Sequence, residues 1–283
     1  MQPCALPVEP TGSVARDVTR HRRGELARVA DRVVEERPVA LVFNDISHAV
    51  MMATPIDLDV FGLGFALSEG IVERASDVFD IESECTAASA VVRLTVSQRA
   101  FMALKERRRA LAGRTGCGVC GIESIAQLDL HPPRIRHAGA AAGIGTDALE
   151  RAARALPAHQ VLMRDTGGIH AAAWCSRDGE VVDVFEDVGR HNALDKLIGR
   201  LAQRRADTRD GFVFLSSRAS YELVRKAARL DIPMVATISA PTSLAIDVAH
   251  EAGIRLLGFC RGDGFVEYAA PADAPVSLEA PEL

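Results

Sequence analysis

The sequence predicts a two-part α/β protein, with a smaller N-terminal α+β domain and a C-terminal domain built on a largely parallel sheet with helices on its faces. Three observations carry this expectation. A chain of 283 residues exceeds the usual size of one domain and falls short of three. Beyond residue 160, apolar strands, short polar loops and helical stretches follow one another, the pattern of strand-loop-helix units with parallel strands. Residues 138–145 are small and glycine-rich, with little to pack, and mark the boundary. The expected organisation is a flexible terminus over 1–20, an N-terminal domain over 21–145 that ends in a mobile cysteine loop (115–121) and linker, and an α/β domain over 146–283.

Taken in order, residues 1–20 mix proline, glycine and charge without periodicity and read as a loose terminus. Residues 22–37 fit a helix with Leu26, Val29, Ala30 and Val33 on one face. The apolar runs 39–43 and 50–53 flank the polar Asn44-Asp45-Ile46-Ser47 and predict two strands joined by a turn. Asp57 stands where it would cap a helix carrying Leu58, Phe61 and Phe65, and Gly70 where it would end it. A strand over 91–96 and a helix over 97–111 precede the cysteine loop, and a short helix over 122–130 follows, stopped by Pro132 and Pro133.

In the second half, residues 161–163 and 169–174 read as strands about a Thr166-Gly167-Gly168 turn, and 181–185 as a further strand. A helix carrying Ala193, Leu194, Leu197 and Leu201 comes next. The strands 212–215, 234–238 and 254–259 then each lead into a polar loop, and the first two of those loops into helices ending near Leu230 and at Gly253.

Composition bounds the function. The charge of −5 argues against broad nucleic-acid binding while leaving room for a local basic pocket. No apolar run approaches the roughly 20 residues of a membrane span, and the start of the chain lacks the charged-then-apolar pattern of a secretory signal, so a cytoplasmic protein is expected. The six cysteines are scattered apart from one close pair, which does not read as a secreted disulfide framework.

That pair lies in Gly116-Cys117-Gly118-Val119-Cys120-Gly121, a segment with the backbone freedom of a mobile loop. Three readings stand: a zinc site completed by His131 and His137, a dithiol redox switch, or a persulfide carrier. A helix ends just before the pair, which opposes the thioredoxin-like arrangement, whereas an exposed, reaching loop suits sulfur transfer.

In an open α/β sheet the loops after the strands gather at one edge, where helix N-termini favour anions. Those loops hold Arg190 and His191; Ser217 and Arg218; Ser239, Thr242 and Ser243; and Arg261, Gly262, Asp263 and Gly264. Lys196, one turn into its helix, stands either to hold a phosphate or to be solvated. Three arginines and several hydroxyls at one edge suit a phosphorylated ligand. Asp187, Asp195 and Asp263 are candidates to read a guanine, and Trp174 is expected in the core.

With these segments in view, the chain closely resembles the formate dehydrogenase accessory sulfurtransferase family (FdhD). The resemblance rests on the cysteine loop, Thr166-Gly167-Gly168-Ile169-His170-Ala171-Ala172, Glu186-Asp187-Val188-Gly189-Arg190-His191-Asn192, Ser217-Arg218-Ala219-Ser220-Tyr221-Glu222, Ser239-Ala240-Pro241-Thr242-Ser243 and Gly258-Phe259-Cys260-Arg261. It covers about residues 38–268. It implies a sulfurtransferase that takes sulfur from a cysteine desulfurase and delivers it to a molybdenum or tungsten bis(molybdopterin guanine dinucleotide) cofactor bound as substrate, before insertion into formate dehydrogenase. GDP would mimic that ligand. It further implies that Cys117 carries the persulfide and Cys120 assists, that the nucleotide binds at Phe259, Cys260, Arg261, Gly262, Asp263 and Gly264, that the chain forms a homodimer, and that no resident metal is needed. The implied fold is a cytidine-deaminase-like three-layer α/β/α domain with a smaller N-terminal α+β domain. His170 is followed by Ala171 and Ala172 with no catalytic glutamate, so deaminase chemistry is not expected. Cys260 stands where an apolar residue is expected and reads as core.

Overall fold

The computed structural model describes residues 10–110, 131–262 and 264–270. Cys117, Cys120, Asp263 and the short helix expected over 122–130 lie outside them.

The first element corrects the sequence reading. Strand β1 (Ser13–Arg22) pairs antiparallel with β2 (Glu25–Val34), so residues 13–20 belong to a strand and residues 25–34 are not helical. Arg23 and Gly24 have φ of 51° and 87°, the paired left-handed conformations of a two-residue hairpin turn whose twist matches the strands. Pairing aligns Val14 with Val33 and Val18 with Val29, an apolar stripe that only a strand assembles.

Strands β3 (Arg37–Phe43) and β4 (Ile46–Ala53) form the expected hairpin, turning at Asn44 and Asp45 with φ of 43° and 65°. Strands β5 (Val78–Cys85) and β6 (Ala90–Val96) complete a four-stranded sheet of order β4-β3-β6-β5, in which β3 and β6 run parallel. Helix α1 (Leu58–Ser68) lies between them in sequence and α2 (Gln98–Ala110) follows β6. Asp57 does not cap α1: its own φ is 55° and its side chain makes no cap hydrogen bond. Gly70 does terminate α1, at φ 65°.

The second half contains α3 (Thr146–His159), α4 (Val161–Thr166), β7 (His170–Ser176), β8 (Val181–Asp187), α5 (Arg190–Gln203), β9 (Gly211–Leu215), α6 (Tyr221–Arg229), β10 (Met234–Thr237), α7 (Ser243–Ala252), β11 (Arg255–Arg261) and β12 (Gly264–Ala269). Residues 161–163 are therefore helical, not a strand. The Leu162 and Met163 N–H groups, which a helix start leaves unpaired, donate to the Glu186 carboxylate at 2.8 Å each, and Gly167 closes the helix at φ 70°.

The six-stranded sheet has the order β12-β11-β10-β9-β7-β8. Only β9-β10 and β10-β11 are parallel pairings; β7-β8, β7-β9 and β11-β12 are antiparallel. The sheet is thus mixed rather than largely parallel, because β7 and β8 are joined by a tight turn at Gly179 instead of a crossover helix. Its two faces are both covered. Ala173, Cys175, Phe212, Phe214, Met234 and Leu257 pack with α3 on one side. Ala172, Trp174, Val213, Leu215, Val235 and Leu256 pack on the other with α5, α6 and α7, in a core that continues through α1 into Val39, Leu41, Val92 and Leu94 of the four-stranded sheet. The two sheets therefore share one hydrophobic core. No described helix is long and apolar enough to cross a membrane.

Helices α1 and α5 join the halves by close backbone approach. A Cβ on Gly64 would stand 1.7 Å from the Asp195 carbonyl oxygen, and one on Gly199 would stand 1.9 Å from that of Val60. Beside this crossing Lys226 reaches Asp195 at 2.6 Å and Glu69 at 3.0 Å, while Ser68 donates to Asp195 at 2.6 Å. The obstructing atoms at both glycines are backbone and cannot rotate away. Gly64→Ala is accordingly expected to cost about 3 kcal/mol, the upper range for overpacking, read as a lowered urea midpoint, whereas Gly139→Ala, with open space around it, leaves the midpoint unchanged.

Candidate functional site

Strand β8 is antiparallel to β7, and β7 to β9, so β8 runs in the same direction as β9, β10 and β11. The carboxyl ends of all four therefore lie at one edge, together with the N-termini of α5, α6 and α7. This is the gathering that the sequence predicts, and hydrogen bonds fasten it. Ile238 N–H donates to Leu215 O at 3.1 Å, Thr242 N–H to Ala219 O at 3.0 Å, Phe259 N–H to Ser239 O at 3.0 Å, and the Thr237 hydroxyl to Ser217 O.

The predicted residues divide into those that face outward and those consumed by the fold. Arg218, Ser243, Phe259, Arg261 and Gly262 are exposed, and Arg190, His191, Ser239, Thr242 and Gly264 are half-buried. Phe259 adopts φ 53°, a left-handed conformation that is strained for a bulky residue, and it holds an aromatic ring 39% exposed at the rim. The Arg261 guanidinium lies 5.9 Å from that ring centroid and its Nε–H donates to Ile238 O at 3.4 Å. Gly258 permits this approach, since a Cβ there would meet Pro241 at 3.0 Å and Ser239 O at 3.1 Å.

Three predicted residues are structural. Lys196 is fully buried: its Nζ lies 2.8 Å from Asp187 Oδ2 and donates to Thr54 O at 3.0 Å and Glu186 O at 3.3 Å. All three ammonium protons are thereby used, and none remains for a phosphate. Ser217 is buried with its hydroxyl donating to Arg218 O at 3.0 Å. Cys260 is 1% exposed in the core between α3 and the sheet, and burial pushes its thiol up to about 11. Thr242 keeps a local task, accepting from Ala245 N–H at 3.4 Å as the cap of α7.

Two of the three acids considered for guanine are likewise occupied. Asp187 is buried and accepts from Thr54 N–H, Gly189 N–H and the Asn192 amide besides Lys196. Asp195 is bound by Lys226 and Ser68. Trp174 is in the core as expected.

The structure adds residues that the sequence reading left unassigned. His170 opens β7 directly opposite Asp187, which brings it to the edge beside Arg190 and His191. Glu222, in the first turn of α6, lies 2.6 Å from His191 Nε2, although the contact lacks hydrogen-bond alignment. That contact, outweighing the opposing effect of burial, lowers the Glu222 carboxyl, with Arg190 adding to it. The signal for His170 was Asp178-Gly179: read as a hairpin turn, it would have aligned the start of β7 with the end of β8. Of the histidines considered for zinc, His131 Nδ1 lies 2.9 Å from Glu251. His137 lines a cavity of about 440 Å³ at the opposite end of the sheet, away from this edge.

Fold and edge together define a mixed α/β protein in which the carboxyl ends of four strands, three arginines and the N-termini of three helices share one rim. The chain belongs to the FdhD/NarQ family, whose model matches residues 34–274. It is 65% identical over 266 residues to the sulfur carrier protein FdhD of Burkholderia mallei, covering 92% of this chain and 97% of that one. The sulfur carrier protein FdhD of Chromobacterium violaceum is 64% identical over 261 residues, covering 92% and 96%. A crystal structure from Desulfotalea psychrophila, described as a candidate formate dehydrogenase accessory protein, shares the fold with a TM-score of 0.68 at 22% identity, covering 92% of this chain and 97% of that one.

The buried Lys196–Asp187 pair sets the edge, so Lys196→Met, which leaves Asp187 buried without its countercharge, is expected to cost about 3–5 kcal/mol. Equilibrium denaturation measures this; a loss below about 1 kcal/mol would mean that the pair does not support the fold.

Proposed function

We propose that this chain is a sulfurtransferase that carries sulfur to a bis(molybdopterin guanine dinucleotide) cofactor on its way to formate dehydrogenase. The observation that carries the reading is the cationic strand edge: Arg190, Arg218 and Arg261 and the starts of α5, α6 and α7 meet there, in a chain whose relatives are named sulfur carrier proteins. A ligand with two pyrophosphates calls for several arginines and helix N-termini, and the exposed Phe259 ring offers a planar base a stacking partner.

In this reading Cys117 is the carrier. Its thiolate attacks the outer sulfur of a persulfide on a cysteine desulfurase, the sulfur–sulfur bond of the donor breaks, the donor thiolate leaves, and Cys117 becomes the persulfide. The Cys120 thiolate then attacks the inner sulfur of that persulfide. A Cys117–Cys120 disulfide forms, and the outer sulfur departs as sulfide for the metal of the bound substrate. The cysteine pair supplies the electrons that reduce sulfane sulfur to sulfide, and a cellular dithiol restores both thiols. The residues of the edge hold and orient the nucleotide portions throughout.

Incubation with a cysteine desulfurase and cysteine should add one sulfur to the intact mass, mapped to Cys117 and released as thiocyanate by cyanide. Cys117→Ala should abolish this loading, whereas Arg261→Ala should load normally and bind GDP roughly tenfold more weakly, the loss of one charge-assisted contact. Normal loading of the Cys117→Ala protein overturns the carrier assignment, and absence of thiocyanate from the wild type points instead to a cofactor chaperone that handles no sulfur.

A further inference from the structure

We infer that two copies of this chain associate by exchanging their N-terminal hairpins: β1 and β2 of one copy lie across the outer face of the four-stranded sheet of the other. The family resemblance implies a homodimer but names no surface. Both surfaces are assigned from the structure, independently of how the strand edge is read.

The hairpin is short of partners. It forms a sheet of its own, and the element it chiefly touches is α4. A two-stranded ribbon is at best marginally stable in water and needs another surface against its apolar face. Residues that stand opposite each other in an antiparallel pair share a face. One face therefore carries Val14 with Val33 and Val18 with Val29, together with Arg16, Arg20 and Arg22. Val33 is left 43% exposed. Over residues 13–34 six arginines stand against three carboxylates, in a chain whose overall charge is −5.

The sheet of order β4-β3-β6-β5 offers the complementary surface. Its inner face, with Val39, Leu41, Val92 and Leu94, is buried against α1. Alternation sends Ala40 and Val42 to the outer face, beside Val50 and Met52 of β4 and Val91 of β6. A sheet face turned to water ordinarily carries polar residues at such positions. Here Val50 is 56% and Met52 50% exposed, so the chain's own hairpin does not cover them. The register places Asp80, Glu82 and Glu84 of β5 in a row on the same outer face, opposite Thr95, Arg93 and Val91. Arg93 pairs with Glu84 at 3.3 Å and offsets one of the three charges.

An apolar stripe flanked by arginines thus stands on one element, and an apolar patch flanked by carboxylates on another. Each copy owns both halves of the match, so mutual exchange makes the same contact twice and closes about a two-fold axis. A ribbon of two strands is about 10 Å wide and the strands beneath it run about 25 Å, so two related contacts hide about 1,000 Å² counting both surfaces, the size at which specific interfaces begin. A second copy supplies all of this, and no other partner is needed to satisfy either surface.

The experiment is sedimentation equilibrium of the full chain. The samples are the wild type, a hairpin-reversed variant (Arg16→Glu, Arg20→Glu, Arg22→Glu), a sheet-reversed variant (Asp80→Lys, Glu82→Lys, Glu84→Lys) and the equimolar mixture of the two variants. All six residues are exposed, so their reversal leaves the core intact. The wild type is expected to be a dimer. Each variant alone sets like charges against each other at both contacts and should dimerise at least about a hundredfold more weakly. In the mixture the reversed hairpin meets the reversed sheet and the native hairpin the native sheet, so a heterodimer should form with near wild-type affinity. A monomeric wild type, a dimer of wild-type strength in either variant alone, or a mixture that stays monomeric overturns the inference. Hydrogen exchange of the wild type gives a readout that needs no variant: amide protection over 13–34 should rise with protein concentration. Protection there that does not change as the dimer forms places the contact elsewhere and overturns the inference as well.

Discussion

The contact on which the arrangement depends is the buried pair of Lys196 and Asp187. Neither side chain reaches solvent, and the pair holds together three parts of the chain: Thr54, between β4 and α1; the end of β8; and the first turns of α5. Two charges in a dry interior repay their desolvation only when further hydrogen bonds complete their shells. Here they do. Lys196 gives its other protons to the Thr54 and Glu186 carbonyls, and Asp187 accepts from Thr54, Gly189 and Asn192. The consequence is positional: Arg190 and His191 follow Gly189 directly, so the network that closes the core also sets where the cationic start of α5 points.

The glycine contacts between α1 and α5 serve the same end by other means. With no side chain at Gly64 or Gly199 the two helices meet backbone to backbone, and the Lys226–Asp195–Ser68 cluster lies beside the crossing. The four-stranded sheet is thereby fixed to the six-stranded one through α1 and α5, in a continuous core. A site formed at one sheet's edge thus inherits rigidity from both halves of the chain, as a binding edge needs if its donors are to be oriented before the ligand arrives.

How much of this was legible in the sequence depended on whether the cause was local. The units at β9, β10 and β11 were readable because each apolar run is short and followed by polar punctuation, and the convergence of their loops follows from topology alone. The hairpin of β1 and β2 was not, because Leu26, Val29, Ala30 and Val33 satisfy helical spacing as well as strand pairing, and neither face of the hairpin enters the core to decide between them. The six-residue α4 forms because a carboxylate 24 positions away, Glu186, receives its free N–H groups. Lys196 reads locally as a candidate phosphate ligand because the carbonyl that claims it, Thr54, is 142 residues distant. Long-range partners leave no mark on the local pattern.

The segment from Glu186 to Asn192 shows why the distinction matters for reading function. It looks like one polar motif, yet its members face opposite ways. Glu186 starts α4, Asp187 neutralises Lys196, and Asn192 bonds Asp187 and the Met52 carbonyl; all three are buried and satisfied. Among the described residues the Arg190 Nε is buried without a hydrogen-bond partner, and His191 lies against Glu222. A polar residue whose hydrogen bonds are complete within the fold has little left to offer a ligand, whereas one left with unspent donors and uncancelled charge costs stability unless something binds it. By that criterion the candidates for binding at this edge are Arg218, Phe259 and Arg261, which the fold leaves exposed, rather than Asp187, Asn192 or Lys196, which it consumes.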